Sequence, residues 1–255
     1  MIYFGGLTFY AEDPKHFLKI PNAIAARRIA ESVLQKYELL GSLPTALNLL
    51  KTNGDLRSLL SCYQDLMVQR DVGCSDFEKQ EDVHRDSFYF TLIQNHFYRP
   101  QPEFQVTRSK VTRSKGEPGR VDLIIPLSKH LIVTEWKVAQ IDSLDMDIPS
   151  GQYASRENKA SVLSEYTLSQ VLQLKFGSWD KFRPGQTVQF WVENDAASQL
   201  RDYIRSPKVE ELLKDGNLMH AHLVLIVGSR HILMWDMERS GELVGTPYLA
   251  GKKQR

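Results

Sequence analysis

Two apolar runs that carry charge at fixed positions constrain this chain more than any other feature. Gly119-Arg120-Val121-Asp122-Leu123-Ile124-Ile125 is followed, after Pro126 to His130, by Leu131-Ile132-Val133-Thr134-Glu135-Trp136-Lys137. Leu123 to Ile125 and Leu131 to Val133 are apolar on consecutive positions, the pattern of strands covered on both faces. The segment between them has hairpin length, so the two strands can lie side by side. Side chains alternate along a strand, which puts Glu135 and Lys137 on one face and Thr134 and Trp136 on the other. Asp122 interrupts its own run. The hairpin can then bring two carboxylates and one ammonium to a single point.

That constellation suits metal-assisted phosphodiester hydrolysis. Asp122 and Glu135 offer the hard oxygen ligands that Mg²⁺ (or Mn²⁺) takes, and such an ion polarises a phosphoryl oxygen and activates a water. Lys137, held beside two carboxylates, stays protonated and can orient the attacking water or stabilise charge on the phosphate. The structural alternative is an E-x-K pair on an edge strand, where opposite charges give modest cross-strand support and deter aggregation. Burial on both faces argues against it, because a buried charge costs several kcal/mol unless it is paired or binds a metal.

With those residues in view, the chain resembles the PD-(D/E)XK nuclease superfamily, and in particular the subgroup that follows an AAA-ATPase-like domain in the same polypeptide. G-R-V-D followed by T-E-W-K carries the resemblance. Residues 86–93, D-S-F-Y-F-T-L-I, resemble the helix that bears an acid, Phe-Tyr and an apolar run, and residues 168–176, L-S-Q-V-L-Q-L-K-F, resemble a downstream helix with a glutamine. G-G-L-T-F and I-P-N near the start resemble the junction after the ATPase-like part. The likeness covers roughly residues 1–25, 80–137, 163–176 and 223–237. It implies a restriction-endonuclease-like core, cleavage of nucleic acid with DNA ahead of RNA, and a site of Asp122, Glu135 and Lys137 with Asp86 and Gln170. The first acid of the family is usually Glu, whereas Asp86 fits that position here. No G-x-x-x-x-G-K-[ST] phosphate loop occurs in the 255 residues, so an ATPase partner would sit on another chain.

Composition excludes several classes. Thirty-two Lys and Arg against thirty-one Asp and Glu give a net charge of +1, so a nucleic-acid footprint has to be local. The one basic concentration is V-T-R-S-K-V-T-R-S-K-G-E-P-G-R, with Arg108, Lys110, Arg113, Lys115 and Arg120 leading into Asp122. It reads either as a solvated hairpin or as a loop tracking phosphates without reading bases. Two cysteines, Cys62 and Cys74, are too few for a disulfide framework, which fits a reducing, intracellular setting, cytoplasmic or nuclear. The opening M-I-Y-F-G-G-L-T-F-Y has neither a basic start nor a long apolar run, so no signal peptide or membrane span is expected.

The expected architecture is α/β: a mixed central β-sheet flanked by helices over residues 76–255, preceded by a helical segment with a small hairpin over residues 1–75. Residues 2–20 read as the hairpin, and helices are expected over about 22–37, as two pieces in 44–70 split by Asn53-Gly54, and over 77–97. Strands are expected over 103–112, 120–126, 131–138, 187–193 and 222–237, with 139–162 as a polar insertion. Asp86 falls on a stripe with Phe90, Ile93 and Phe97 that would face the core. It is then either a third acid of the site or the partner of a neighbouring Arg. Gln170 shares a helical face with Leu163, Tyr166 and Leu174, so its amide needs partners there or a substrate. Asp142, Asp145 and Asp147 lack the Gly and terminal Glu of a calcium loop and read as solvated. His220-Ala221-His222 reads as a strand-end pair, because a zinc site needs more ligands than its neighbourhood supplies.

Overall fold

A computed structural model describes residues 8–9, 18–19, 42–70, 81–94, 100–107, 118–147, 155–177, 182–213, 216–228 and 230–251. The expected helix over 22–37 lies outside them, as do Arg108, Lys110, Arg113 and Lys115 of the basic segment. The early hairpin is present as β1 (Thr8–Phe9) paired antiparallel with β2 (Leu18–Lys19).

The centre of the fold is a six-stranded mixed sheet. Its strands are β3 (Gln101–Thr107), β4 (Pro118–Pro126), β5 (His130–Ala139), β8 (Leu218–Val227), β9 (His231–Met237) and β10 (Leu243–Leu249), in the order β10-β9-β8-β5-β4-β3. β5 and β8 run parallel, and every other neighbouring pair in this sheet is antiparallel. A parallel neighbour needs a crossover, and the chain between β5 and β8 supplies one. It holds a 3₁₀ turn (Ile141–Ser143), β6 (Leu144–Asp145), α4 (Arg156–Ser164), α5 (Leu168–Gln173), β7 (Lys175–Phe176), α6 (Val188–Trp191), a π-helical turn (Val192–Ala196), α7 (Ala197–Ile204) and α8 (Pro207–Leu212). Apolar residues of this crossover, among them Leu163, Val192, Leu200 and Tyr203, bury one face of the sheet with Val133, Leu223 and Leu225. The opposite face, with Leu123, Ile125, Trp136, Val224 and Met234, is covered by α1 (Leu43–Asn53), α2 (Arg57–Arg70) and α3 (Glu81–Gln94). The molecule is therefore α/β with helices on both faces of a mixed sheet.

Local signals account for most boundaries. α1 has Pro in its first turn and ends at Gly54, whose left-handed φ of 70° lets its N–H reach Leu50 O. A Cβ there would also meet His220 Nε2 at 2.6 Å, so Gly54 is required twice over. The expected strand over 187–193 is helical instead. Thr187 caps it through Phe190 N, and Val188, Val192, Ala196 and Leu200 repeat every four residues on the buried side. A short β-branched and aromatic run is ambiguous between the two structures, and the longer helical period wins. The expected strand over 222–237 is two strands, β8 and β9, turning at Gly228. β10 has no clear strand signal in the sequence, because Gly245 and Pro247 break its pattern. It sits at the edge of the sheet with an irregular register against β9, where proline is tolerated. The stretch 139–162 is less loop-like than expected, since Ile141, Ser143 and Leu144 are buried and α4 begins inside it. Asp142 pairs with Arg156.

Candidate functional site

The β4–β5 hairpin opens where the charges lie. Its ladder runs from Pro126↔Leu131 to Leu123↔Thr134 and is not continued to Asp122 and Glu135, the next positions in the same register. In place of that rung, the Asp122 carboxylate accepts the Trp136 N–H at 2.7 Å. An aspartate inside an apolar run is thus both a strand-end cap and an acid. Glu135 and Lys137 share a strand face as the alternation demands, and Lys137 Nζ donates to Glu135 Oε1 at 2.6 Å.

The third acid is Glu81, not Asp86. Carboxylate oxygens of Glu81, Asp122 and Glu135 lie within 4.8 Å of one another, and Lys137 Nζ donates to Glu81 Oε1 at 3.0 Å as well as to Trp136 O at 2.9 Å. Along α3 the inward stripe is Glu81, Arg85, Phe88 and Leu92, of which Phe88 and Leu92 pack into the cluster that holds Trp136. Asp86, five residues beyond Glu81, is rotated from that stripe by about 140°. Its side chain is 47% exposed and accepts from Arg85 Nε at 3.0 Å, the structural alternative that the sequence left open. Two stripes compete on this helix, and the one starting at Glu81 includes a second charge, Arg85, that had a buried partner waiting.

Arg85 ties the site to the neighbouring strand. It is buried, with Nη1 3.4 Å from Glu103 Oε1 and 3.8 Å from Asp122 Oδ1. Glu103 also receives Arg120 at 3.3 Å, so Arg120 is exposed and engaged on β3 rather than on an acid of the site. Glu103 has a positive φ of 50°. The flanking pairs Pro102↔Leu123 and Phe104↔Val121 put it opposite Asp122 in the β3–β4 register. A left-handed, non-glycine residue inside a strand costs about 1–3 kcal/mol and persists where the surroundings fix it, often at functional sites. Sequence reasoning had no means of finding Glu103, because its significance is the conformation and not the residue type.

Gln170 is not at this site by its own contacts. A continuous helix through Leu163, Tyr166 and Leu174 does not form. The chain breaks at Glu165–Thr167, and Thr167 begins a new helix with a capping box in which Gln170 Oε1 accepts the Thr167 N–H at 2.8 Å. T-L-S-Q is itself the capping signature, so this role was readable from the residues.

Electrostatics set the protonation of the group. Burial pushes Asp122 above its usual carboxylate value, while Lys137, the Trp136 N–H, Arg85 and Glu135 pull it back. Burial raises Glu135 much further, Asp122 and Glu81 add to the rise, and Lys137 opposes it. For Lys137 burial works against the ammonium, but Glu135, Glu81 and Asp122 outweigh it and hold the amine above its ordinary value. Glu135 Oε2 is buried and has no hydrogen-bond partner. An orphan oxygen on a carboxylate grouped with two others is what a hard divalent cation would satisfy, so Glu81, Asp122 and Glu135 fit Mg²⁺ or Mn²⁺ as an oxygen donor set.

Among the described residues no helix is long and apolar enough to cross a membrane. No family model matches the chain, and comparison with curated proteins and with solved structures returns no similar protein.

Proposed function

We propose that the chain is a metal-dependent nuclease that hydrolyses phosphodiester bonds of nucleic acid, DNA ahead of RNA, inside the cell. One observation carries the reading: three carboxylates, Glu81, Asp122 and Glu135, converge within 4.8 Å around a buried Lys137 while one Glu135 oxygen lacks any partner. Asp122 and Glu135, with Glu81 beside them, would hold Mg²⁺ or Mn²⁺, which when bound polarises a phosphoryl oxygen and lowers the pKa of its water. Asp122 is aimed by the Trp136 N–H and Arg85, so its orientation is fixed before substrate arrives. Lys137 remains an ammonium and is placed to orient the attacking water or to balance charge growing on the phosphate. The resemblance of G-R-V-D and T-E-W-K to the PD-(D/E)XK core supports the same assignment.

A second reading, a catalytically silent module that binds nucleic acid or an ATPase on another chain, is favoured by the bonds Lys137 already makes to Glu81 and Glu135. A cleavage assay separates the two. Labelled single- and double-stranded DNA and RNA are incubated with Mg²⁺, Mn²⁺ or EDTA, using the parent and the variants Glu135→Gln and Asp122→Asn. The nuclease reading expects metal-dependent products that fall at least about 100-fold in each variant, the scale of a lost metal-site group. Cleavage at the parent rate by either folded variant refutes it, and binding without cleavage by the parent supports the silent module.

A further inference from the structure

A second polar cluster lies on the opposite face of the sheet from Glu135, under the connection between α1 and α2. On β5 and β8 the alternation that points Ile132, Trp136, Val224 and Ile226 toward α1 and α2 carries His130, His220 and His222 the same way. Asp236 on β9 is the direct partner of His222 in the register. Asn53, Gly54, Asp55 and Arg57 form with His220, His222 and Asp236 a cleft of about 380 Å³.

Hydrogen bonds fix the tautomers of all three imidazoles. A backbone carbonyl only accepts, so His130 Nε2 donates to Thr52 O at 2.9 Å. With its proton on Nε2, the ring accepts at Nδ1 from His220 Nε2 at 3.0 Å, which leaves the lone pair of His220 on Nδ1. His222 Nδ1 donates to Asp236 Oδ1 at 2.8 Å, and Arg57 donates to the other oxygen of that carboxylate. The lone pair of His222 is therefore on Nε2. That atom is buried and without a partner, on a residue only 5% exposed.

We propose that this cleft binds a borderline transition-metal ion, of the Zn²⁺, Co²⁺ or Ni²⁺ class, through His220 Nδ1 and His222 Nε2. Each imidazole has the arrangement that metal-binding histidines share: the ring N–H distal to the metal is anchored by a carboxylate or a carbonyl-linked group that sets the tautomer. The ring centroids are 6.3 Å apart and the planes 19° from parallel. Two imidazoles on one tetrahedral ion with N–metal bonds of about 2.1 Å place their centroids about 5 Å apart, so about 1 Å of side-chain movement closes the pair. Asp55 lines the same cleft, and with water it would supply the remaining positions once the side chains close on the ion. The ion would staple the α1–α2 connection to β8, independently of the nuclease reading and of the acidic site.

Titration calorimetry of EDTA-stripped protein with Zn²⁺ and Co²⁺ tests this. An Asp122→Asn/Glu135→Gln variant should keep one equivalent, bound as tightly as the histidine-dependent equivalent of the parent, whose acidic site can take a second ion. His222→Gln and His220→Asn should lose that binding, and Asp236→Asn should weaken it about 10–100-fold. Loss of the transition-metal site in the acidic variant alone, or unchanged affinity in both histidine variants, overturns the proposal. Should a histidine variant fail to fold, long-range imidazole ¹H–¹⁵N spectra of the parent decide. Addition of Zn²⁺ should move His220 Nδ1 and His222 Nε2 together, and no movement of either overturns the site.

Discussion

Replacing Lys137 with methionine probes the electrostatics of the acidic site most directly. The ammonium donates to Glu135 at 2.6 Å, to Trp136 O at 2.9 Å and to Glu81 at 3.0 Å, and methionine keeps much of the aliphatic bulk without the charge. Glu135 is fully buried and would lose its cation. Leaving one charge of a buried pair uncompensated costs about 3–5 kcal/mol. The carboxyl can avoid that cost by taking up a proton, and its pKa, already raised by burial, rises further once the opposing Lys137 is gone. The sign follows from proton linkage. A carboxyl whose folded pKa lies above its unfolded value binds more protons in the folded state, so its contribution is fully present below the unfolded pKa and is lost as pH rises through the folded one. The variant should therefore match the parent at pH values where Glu135 is protonated in both, and fall behind by up to about 1.4 kcal/mol per pH unit as pH rises through the raised folded pKa of the parent, levelling at about 3–5 kcal/mol. Urea denaturation in EDTA, followed by tryptophan fluorescence across that range, reads the difference. A gap between parent and variant that stays constant with pH, or that widens as pH falls, refutes the assignment of Lys137 as the counter-ion of a buried Glu135. With Mg²⁺ present, the gap should narrow.

Glu81→Gln should reduce single-turnover cleavage by about 100-fold, while Asp86→Asn stays near the parent rate; the reverse order would restore Asp86 to the site. Gly54→Ala should destabilise the fold by about 1–3 kcal/mol, because a positive φ is strained for alanine and its Cβ meets His220; an unchanged urea midpoint would contradict the close packing of that turn. Replacing Arg108, Lys110, Arg113 and Lys115 together by alanine should weaken binding of unrelated sequences about equally and flatten the slope of log K on log salt by about 0.7–0.9 for each phosphate no longer neutralised. An unchanged slope would return that segment to the status of a solvated hairpin.

The β4–β5 hairpin and the Glu135–Lys137 pairing were legible because a period of two leaves no freedom once the apolar run fixes the strand. The face of α3 was not. Asp86, Phe90, Ile93 and Phe97 satisfy a helical stripe as well as Glu81, Arg85, Phe88 and Leu92 do, and periodicity cannot rank two stripes on one helix. Only the sheet, by offering Asp122 to Arg85 and Lys137 to Glu81, selects between them. Val188 to Trp191 failed for the opposite reason: four residues hold too little periodicity to oppose their strand preference, and the decisive apolar positions lie beyond them in the π-helical turn and α7. The histidine row was illegible in principle. His130 meets His220 only through the parallel β5–β8 pairing, which no local pattern encodes.

The acidic site breaks several local rules within one small region. An aspartate interrupts an apolar strand, a buried glutamate oxygen goes unbonded, and Glu103 is held at positive φ opposite that aspartate. None of these is explained by stability, since an apolar residue at 135 or a regular rung at 122 would satisfy the sheet more cheaply. Charge arithmetic points the same way. Glu81, Asp122 and Glu135 are answered at close range by Lys137, while Arg85 is divided among Asp86, Glu103 and Asp122. A deficit of positive charge remains at the orphan oxygen. Either a proton or a cation can fill it, and burial, by raising the pKa of Glu135, favours the proton over a bare anion. Competition between the two is therefore the physical signature to expect of this site: Mg²⁺ or Mn²⁺ binding that releases a proton from Glu135 and strengthens as pH rises. Calorimetry of Mn²⁺ binding in buffers of different ionisation enthalpy reads that proton, and a binding heat independent of the buffer would separate the metal from Glu135.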